Sequence, residues 1–182
     1  IRFSEASARV RLGVERIRNA ILQMESDRDW FHVVQTLTHE LVGLVEDAAS
    51  GINLVREGGV VAYSVGRGTS DMWEEPGIPD PIAQALASGE AVYRRNLQQM
   101  RRSGDTQEMI DDGIRSVIDL PFGTGTLALN SPREDAFSAS IIEDLWLFAG
   151  IIGEGHRRLE DLRALDAKER LLQQAQKMEA VG

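Results

Sequence analysis

Ile114-Arg115-Ser116-Val117-Ile118-Asp119-Leu120-Pro121-Phe122, then Gly123-Thr124-Gly125, then Thr126-Leu127-Ala128-Leu129-Asn130 is the stretch that decides the fold. Two apolar runs flank a glycine-bounded turn, the pattern of an antiparallel hairpin. Within the first run Asp119 stands alone among apolar residues, and strand alternation puts it on the face opposite Ile118 and Leu120. A hairpin is marginal by itself, so further strands are needed. Upstream, Gly51-Ile52-Asn53-Leu54-Val55 and Val60 to Val65 flank Glu57-Gly58-Gly59, a second hairpin that Gly66-Arg67-Gly68-Thr69 ends. Ala91-Val92-Tyr93-Arg94-Arg95 reads as a third short strand region. Residues 69–81, with Met72, Trp73, Pro76, Gly77, Pro79 and Pro81, read as an irregular loop that folds over something. Asp80 precedes a short helix from Pro81 through Ile82 and Leu86 to Gly89. Residues 96–113 are polar, partly helical, and close at Gly113. Strands separated by helical pieces, with helices at both ends, predict an α+β domain on one mostly antiparallel sheet.

The two ends of the chain are helical by pattern. Phe3, Ser7, Val10, Val14, Ile17, Ile21 and Met24 recur in alternating steps of four and three residues. That is the seam of a coiled coil between two copies, the expectation, with a helix packed on its own domain as the alternative. Ser26-Asp27-Arg28-Asp29 restarts a helix, and Trp30, Val33, Val34, Leu37, Leu41 and Leu44 mark its apolar face to about Val45. From Ser138 onward no proline occurs and Gly155 is the last glycine before the end. A helix over that span is roughly 60 Å long, about twice the width of a small domain. Ile141, Leu145, Phe148, Ile152, Leu159 and Leu162 give its first half an apolar stripe, whereas the second half is polar and needs a partner. The expected partner is a second copy, and the expected interface is Val10, Val14, Ile17, Ile21, Met24, Leu145, Phe148, Ile152, Leu159 and Leu162. Leu162 to Leu165 is a step of three where four was due, an irregularity that leaves alternative registers close in energy.

Composition narrows the function. A chain of 182 residues holds one globular domain plus helical extensions. Its net charge of −9 argues against nucleic acid and against an anionic membrane surface as partners. It has no cysteine, which removes disulfides, thiolate metal sites, thiol nucleophiles and any thioether-linked chromophore. No apolar run has the length of a spanning helix and no signal peptide is visible, so the chain reads as a cytoplasmic piece of a longer protein.

No motif carries catalytic chemistry. His39-Glu40 lacks the second histidine of a zinc-protease helix, and His32 with His39 has no carboxylate or thiol to complete a metal set. His156 falls on the last helix, in a solvated or interhelical position. Gly66-Arg67-Gly68 and Gly123-Thr124-Gly125 are turn glycines rather than phosphate loops. No Ser-His-Asp spacing stands out. Arg94-Arg95 and Arg101-Arg102 either hold an anion or balance surface acids, the second being the default.

The order of these elements resembles a GAF domain over residues 27–155. The residues that carry the likeness are the apolar-Pro-apolar step Leu120-Pro121-Phe122, the strand Leu127-Ala128-Leu129-Asn130, and Ala136-Phe137-Ser138 before a long helix. Ala49-Ser50-Gly51-Ile52-Asn53-Leu54 matches the family's first strand. The run Gln174-Ala175-Gln176-Lys177-Met178-Glu179-Ala180-Val181-Gly182 is similar to the entry into the dimerisation helix of sensor histidine kinases. The resemblance implies a signalling helix over 1–25, a GAF sensor domain over 26–153 and a coiled-coil linker over 154–182. It further implies a homodimer relaying a small-molecule signal to a two-component kinase, and contact with a response regulator only through a kinase region outside this chain. The fragment itself would not be an enzyme. In such a domain one sheet face lines the ligand cavity, which makes Asp119 a candidate hydrogen-bond acceptor, unless it faces the terminal helices or pairs with Arg115. Tyr63, Trp73, Tyr93 and Met109 are the other candidates, or core residues if no cavity lies between them. Covalent bilin is excluded for want of a cysteine. The cyclic-nucleotide signature is echoed only at Asn130 and Phe137, so the resemblance implies no particular ligand. The alternative is a ligand-free dimerisation or protein-docking module with a filled interior.

Overall fold

The computed structural model describes residues 2–66, 69–100 and 104–182, and the side chains of these except 2–7, 65, 66, 69, 70 and 105. The expectations for the side chains of Phe3 and Ser7, and for Arg67, Gly68, Arg101 and Arg102, lie outside the described residues.

The strands are β1 (Ala49–Arg56), β2 (Gly59–Gly66), β3 (Thr69–Pro76), β4 (Val92–Arg94), β5 (Ser116–Phe122) and β6 (Gly125–Ser131). They form one six-stranded sheet in the order β3-β2-β1-β6-β5-β4, with every pair antiparallel. The helices are α1 (Arg2–Leu22), α2 (Trp30–Val42), α3 (Asp80–Ser88), α4 (Gly104–Asp111) and α5 (Ala139–Val181). The expected α+β class and antiparallel sheet are therefore present.

One element differs in kind. Residues 69–76 are not a loop but the edge strand β3, with Met72 opposite Tyr63 and Trp73 opposite Ala62. An edge strand with little packed against it needs no apolar alternation, and acids such as Asp71, Glu74 and Glu75 are typical of a protected edge. Periodicity is blind to such a strand. The irregular part of the segment begins only at Gly77, which takes a positive φ of 82°.

Alternation divides the sheet into two unlike faces. Ile52, Leu54, Val61, Tyr63, Ile118, Leu120, Leu127 and Leu129 share one face and join the main apolar core. Helices α2 and α5 cover it, and α1 packs on those two helices. This cover overturns the expected intersubunit seam. Val10, Ile17, Ile21, Met24, Leu145, Phe148, Ile152 and Leu159 are all buried within the protomer's own core, with Val14 and Leu162 half-buried against it. A four-three spacing marks an apolar helix face without saying what covers it, and a wide apolar sheet needs burying first; each such side chain contributes about 1.5–3 kcal/mol.

Helix α5 runs unbroken for 43 residues, about 64 Å. The Ser138 hydroxyl caps it by accepting a bond from the Ile141 N–H. The expected boundary at 153/154 falls inside this helix, which stays packed through Leu159. From Ala164 to the end every residue is exposed, including Leu165, Leu171, Leu172 and Met178.

Candidate functional site

The opposite face of the sheet is built from small and polar residues. Register places Gly51 between Ser64 and Ala128, and Asn53 between Ala62 and Thr126, with Asp119 beside Ala128. Side chains this short cannot fill the space beneath the covering segments, and α3 packs on this face only over β5, β6 and β4. What remains is a cavity of about 910 Å³ between the sheet, the 76–82 segment and α4. That is ample for a small-molecule site.

Two buried charged groups stand in its wall. Arg94, from the short strand β4, and Asp119, from β5, are buried to 11% and 4% side-chain exposure, and Arg94 Nη2 donates to Asp119 Oδ2 across 3.4 Å. Thr126 Oγ1 donates to Asp119 Oδ1, also at 3.4 Å, and itself accepts from Asn53 Nδ2 at 3.1 Å. Burial pushes the Asp119 carboxyl above its ordinary value, while Arg94 and Thr126 pull it back down. Among the described residues, Arg94 Nη1 has only the Met109 sulfur at 4.0 Å, and its Nε is buried without a partner. At the mouth, Trp73 Nε1 donates to Glu75 Oε1 at 2.7 Å, which holds the indole at the edge of the cavity.

The predicted ligand residues thus separate. Trp73, Met109 and Asp119 line the cavity together. Tyr63 borders it, but register with Ile52 places its side chain in the helix-facing core. Tyr93 is elsewhere: it sits beside Ile118, its hydroxyl donates to Asp135 Oδ1 at 3.0 Å and accepts from the Phe137 N–H at 2.9 Å. Arg95 completes that cluster, bonding Asp135 at 2.6 Å and stacking over the Tyr93 ring. This latch fixes the turn into α5 and leaves Tyr93 unavailable to a ligand. The partner of Asp119 is Arg94 and not Arg115, whose guanidinium donates to the carbonyls of Ile110 and Ile114.

The sequence offered Arg94 only as one of two arginine pairs that hold an anion or balance surface acids, with surface charge the default, because β4 is too short for alternation to assign its faces. The small residues Gly51, Ala62 and Ala128 were missed. Their signal was present: they occupy the alternate positions whose neighbours are apolar, which marks a face that nothing large covers.

His156 is not solvated. It is buried between Trp30 and Phe122, edge-on to both rings, with Nε2 3.7 Å from Glu160. Its ring borders a second, more open groove of about 980 Å³ between the β1–β2 turn and α5, which also touches Arg56, Glu74 and Arg163. His32 and His39 lie exposed on α2. Among the described residues no cluster of acids and histidines is arranged to hold a metal ion.

No family model matches the sequence, and no curated protein does. Solved structures match the fold. Free methionine-R-sulfoxide reductase from Neisseria meningitidis, in complex with its substrate, superposes with a TM-score of 0.64 at 18% identity, covering 86% of this chain and 91% of that one. The GAF domain region of a protein from Geobacter sulfurreducens PCA gives 0.57 at 22% identity, over 78% and 98%. The GAF domain of A. aeolicus nlh2 in an inactive state gives 0.60 at 12% identity, over 83% and 97%. Likeness at these identities speaks for architecture alone: the chain has a GAF-like fold.

Proposed function

We propose that this chain is a small-ligand sensor module that works as a homodimer and passes the state of its cavity along α5 to a histidine kinase. The observation that carries the reading is the cavity itself, floored by small residues and holding a buried, loosely paired Arg94 and Asp119. A domain used only as a spacer has no reason to retain buried charges beside open space, because a packed apolar interior costs less.

Binding rather than turnover is favoured. One structural neighbour reduces a sulfoxide, a step that needs an electron donor, and this chain has no thiol to supply electrons. Carriage of a signal to a kinase is supported by the exposed distal half of α5 and by the run from Gln174 to Gly182, with its likeness to the approach to a kinase dimerisation helix. A polar helix of that length is not stable alone in water, which favours pairing of two copies there. The reading puts the pairing face on Leu171, Ala175 and Met178, which recur in four- and three-residue steps on the exposed part of the helix. A response regulator would be reached only through the kinase region beyond Gly182.

The test fills the cavity. Ala128→Leu adds bulk to its floor without touching the helix-facing core. In a protein carrying this module and its kinase region, the variant should abolish both ligand-induced thermal stabilisation and ligand control of autophosphorylation. Native mass spectrometry of the wild-type chain should reveal a retained small molecule in the wild type only. Unchanged signal response in the filled variant would sink the reading.

A further inference from the structure

The wall of the cavity says what chemistry its occupant carries. Arg94 and Asp119 touch through one N–H at 3.4 Å, short of the paired, forked contact that arginine and carboxylate make when each satisfies the other. Among the described residues the guanidinium has donors to spare, and Asp119 accepts only one bond on each oxygen, both long. The cavity therefore presents a plus and a minus side by side, each with unused bonding capacity. Among the described residues of its wall Arg94 is the one base, whereas Glu75, Asp80, Glu108 and Asp112 put negative charge around it.

Simple ions fit this arrangement poorly. An anion seated on Arg94 meets Asp119 and the acidic surround, which disfavours phosphates and dicarboxylates. A plain amine satisfies Asp119 but places a second cation beside Arg94. A molecule with an ammonium and a carboxylate on one carbon offsets both charges at once, because its own two charges lie about as far apart as Arg94 and Asp119. Gly51, Ala62 and Ala128 leave room for such a head group to approach the sheet.

We propose that the cavity binds a small zwitterion of the α-amino-acid class, its carboxylate on Arg94 and its ammonium on Asp119 and toward the acidic mouth. This rests on the ligand-sensing reading above and goes further by naming the class. The excess of acid sets the orientation, and Trp73 at the mouth faces whatever the zwitterion carries beyond its head group.

The experiment is a thermal-shift and calorimetric screen of the full chain against four probe sets: a panel of L-amino acids, the acids acetate and succinate with inorganic phosphate, the amines choline and putrescine, and glycine betaine. Binding by at least one amino acid, with none by the acids or amines, is the expected result. Betaine, whose quaternary nitrogen cannot donate to Asp119, should bind at least tenfold more weakly. The double variant R94Q/D119N, which keeps the pair neutral and hydrogen-bonded, should lose affinity on the order of 10- to 100-fold with an unchanged circular dichroism spectrum. Should that variant fail to fold, the exposed pair E75Q/D112N should still weaken binding several-fold, more at low salt than at high. Binding of the acids alone or the amines alone overturns the assignment of class but leaves a ligand-binding cavity. Silence from every probe, together with no molecule retained in native mass spectrometry, overturns both. Undiminished amino-acid affinity in a folded R94Q/D119N protein overturns the placement on this pair.

Discussion

Gly155 on α5 lies so close to Ile21 on α1 that a β-carbon added there would stand 2.9 Å from Ile21 and 3.2 Å from the Trp30 ring. Nearby, Arg158 Nη2 donates a 2.7 Å bond to the carbonyl of Met24, just past the end of α1. The two terminal helices are thus clamped to each other where α5 leaves the domain. Any rearrangement of one must move the other.

That clamp predicts opposite outcomes for two glycines on one helix. Gly155→Leu should destabilise the protein by about 1–3 kcal/mol, because Ile21 and Trp30 are buried and have nowhere to move. Gly150, whose β-carbon would meet nothing within 4 Å, should tolerate alanine and gain up to about 1 kcal/mol from helix propensity. Urea denaturation of both variants measures the contrast. Equal effects would mean that α1 and α5 are not packed at Gly155.

Removing the partner of Asp119 should give a pH-dependent loss. Arg94→Met leaves a buried carboxylate uncompensated and should cost about 3 kcal/mol at neutral pH. Burial holds the folded-state pKa of Asp119 above its ordinary 3.8, and loss of Arg94 raises it further. A raised folded value means that the native state holds the proton more tightly. The associated stability is full below the unfolded value and is lost as pH rises through the folded one. The deficit of Arg94→Met should therefore shrink as the solution is acidified from neutral toward the ordinary carboxylate range. Denaturation midpoints of variant and wild type across that range would show it, and a constant difference would count against a buried ionised Asp119.

His156 should make the domain acid-sensitive in the other direction. Burial between Trp30 and Phe122 holds its pKa below the ordinary 6.5; Glu160 opposes this, while Arg163 and Arg56 add to it. A depressed folded value gives stability that is full above 6.5 and falls as pH drops through the folded value. Wild-type melting temperature should decline on mild acidification, and His156→Phe, which keeps a ring between Trp30 and Phe122, should flatten that decline. Parallel curves for the two proteins would assign the acid sensitivity to other groups.

The distal half of α5 should respond to charge only in the assembly. Leu171→Glu with Met178→Glu changes exposed positions, at 66% and 77% exposure, so the folded domain should keep its melting behaviour. Sedimentation should show a dimer in the wild type and a monomer in the double variant, with the helix beyond Ala164 losing ellipticity when its partner is lost. A dimer that survives both substitutions would place the contact elsewhere.

Much of the architecture was legible in the chain before any contact was known. Gly123-Thr124-Gly125 between two apolar runs specified the β5–β6 hairpin, the Glu57-Gly58 turn specified β1–β2, and Ser138 marked where α5 begins. These features are local: turn chemistry, caps and alternation depend on residues a few positions apart. The lone Asp119 likewise announced a face unlike its neighbours. The choice of partner was not local. The spacing of Ile17, Ile21 and Met24 fits any apolar surface, and only the fold shows that α2 and α5 of the same chain occupy it. Strand β3 stayed hidden because an edge strand with exposed sides carries no burial pattern. Arg94 met Asp119 only because β4 pairs with β5 across an intervening helix and turn, a contact that no sequence separation encodes. Periodicity fixes which side of an element is apolar, whereas burial, charge pairing and the empty space over Gly51, Ala62 and Ala128 are set by what the rest of the chain brings to that side.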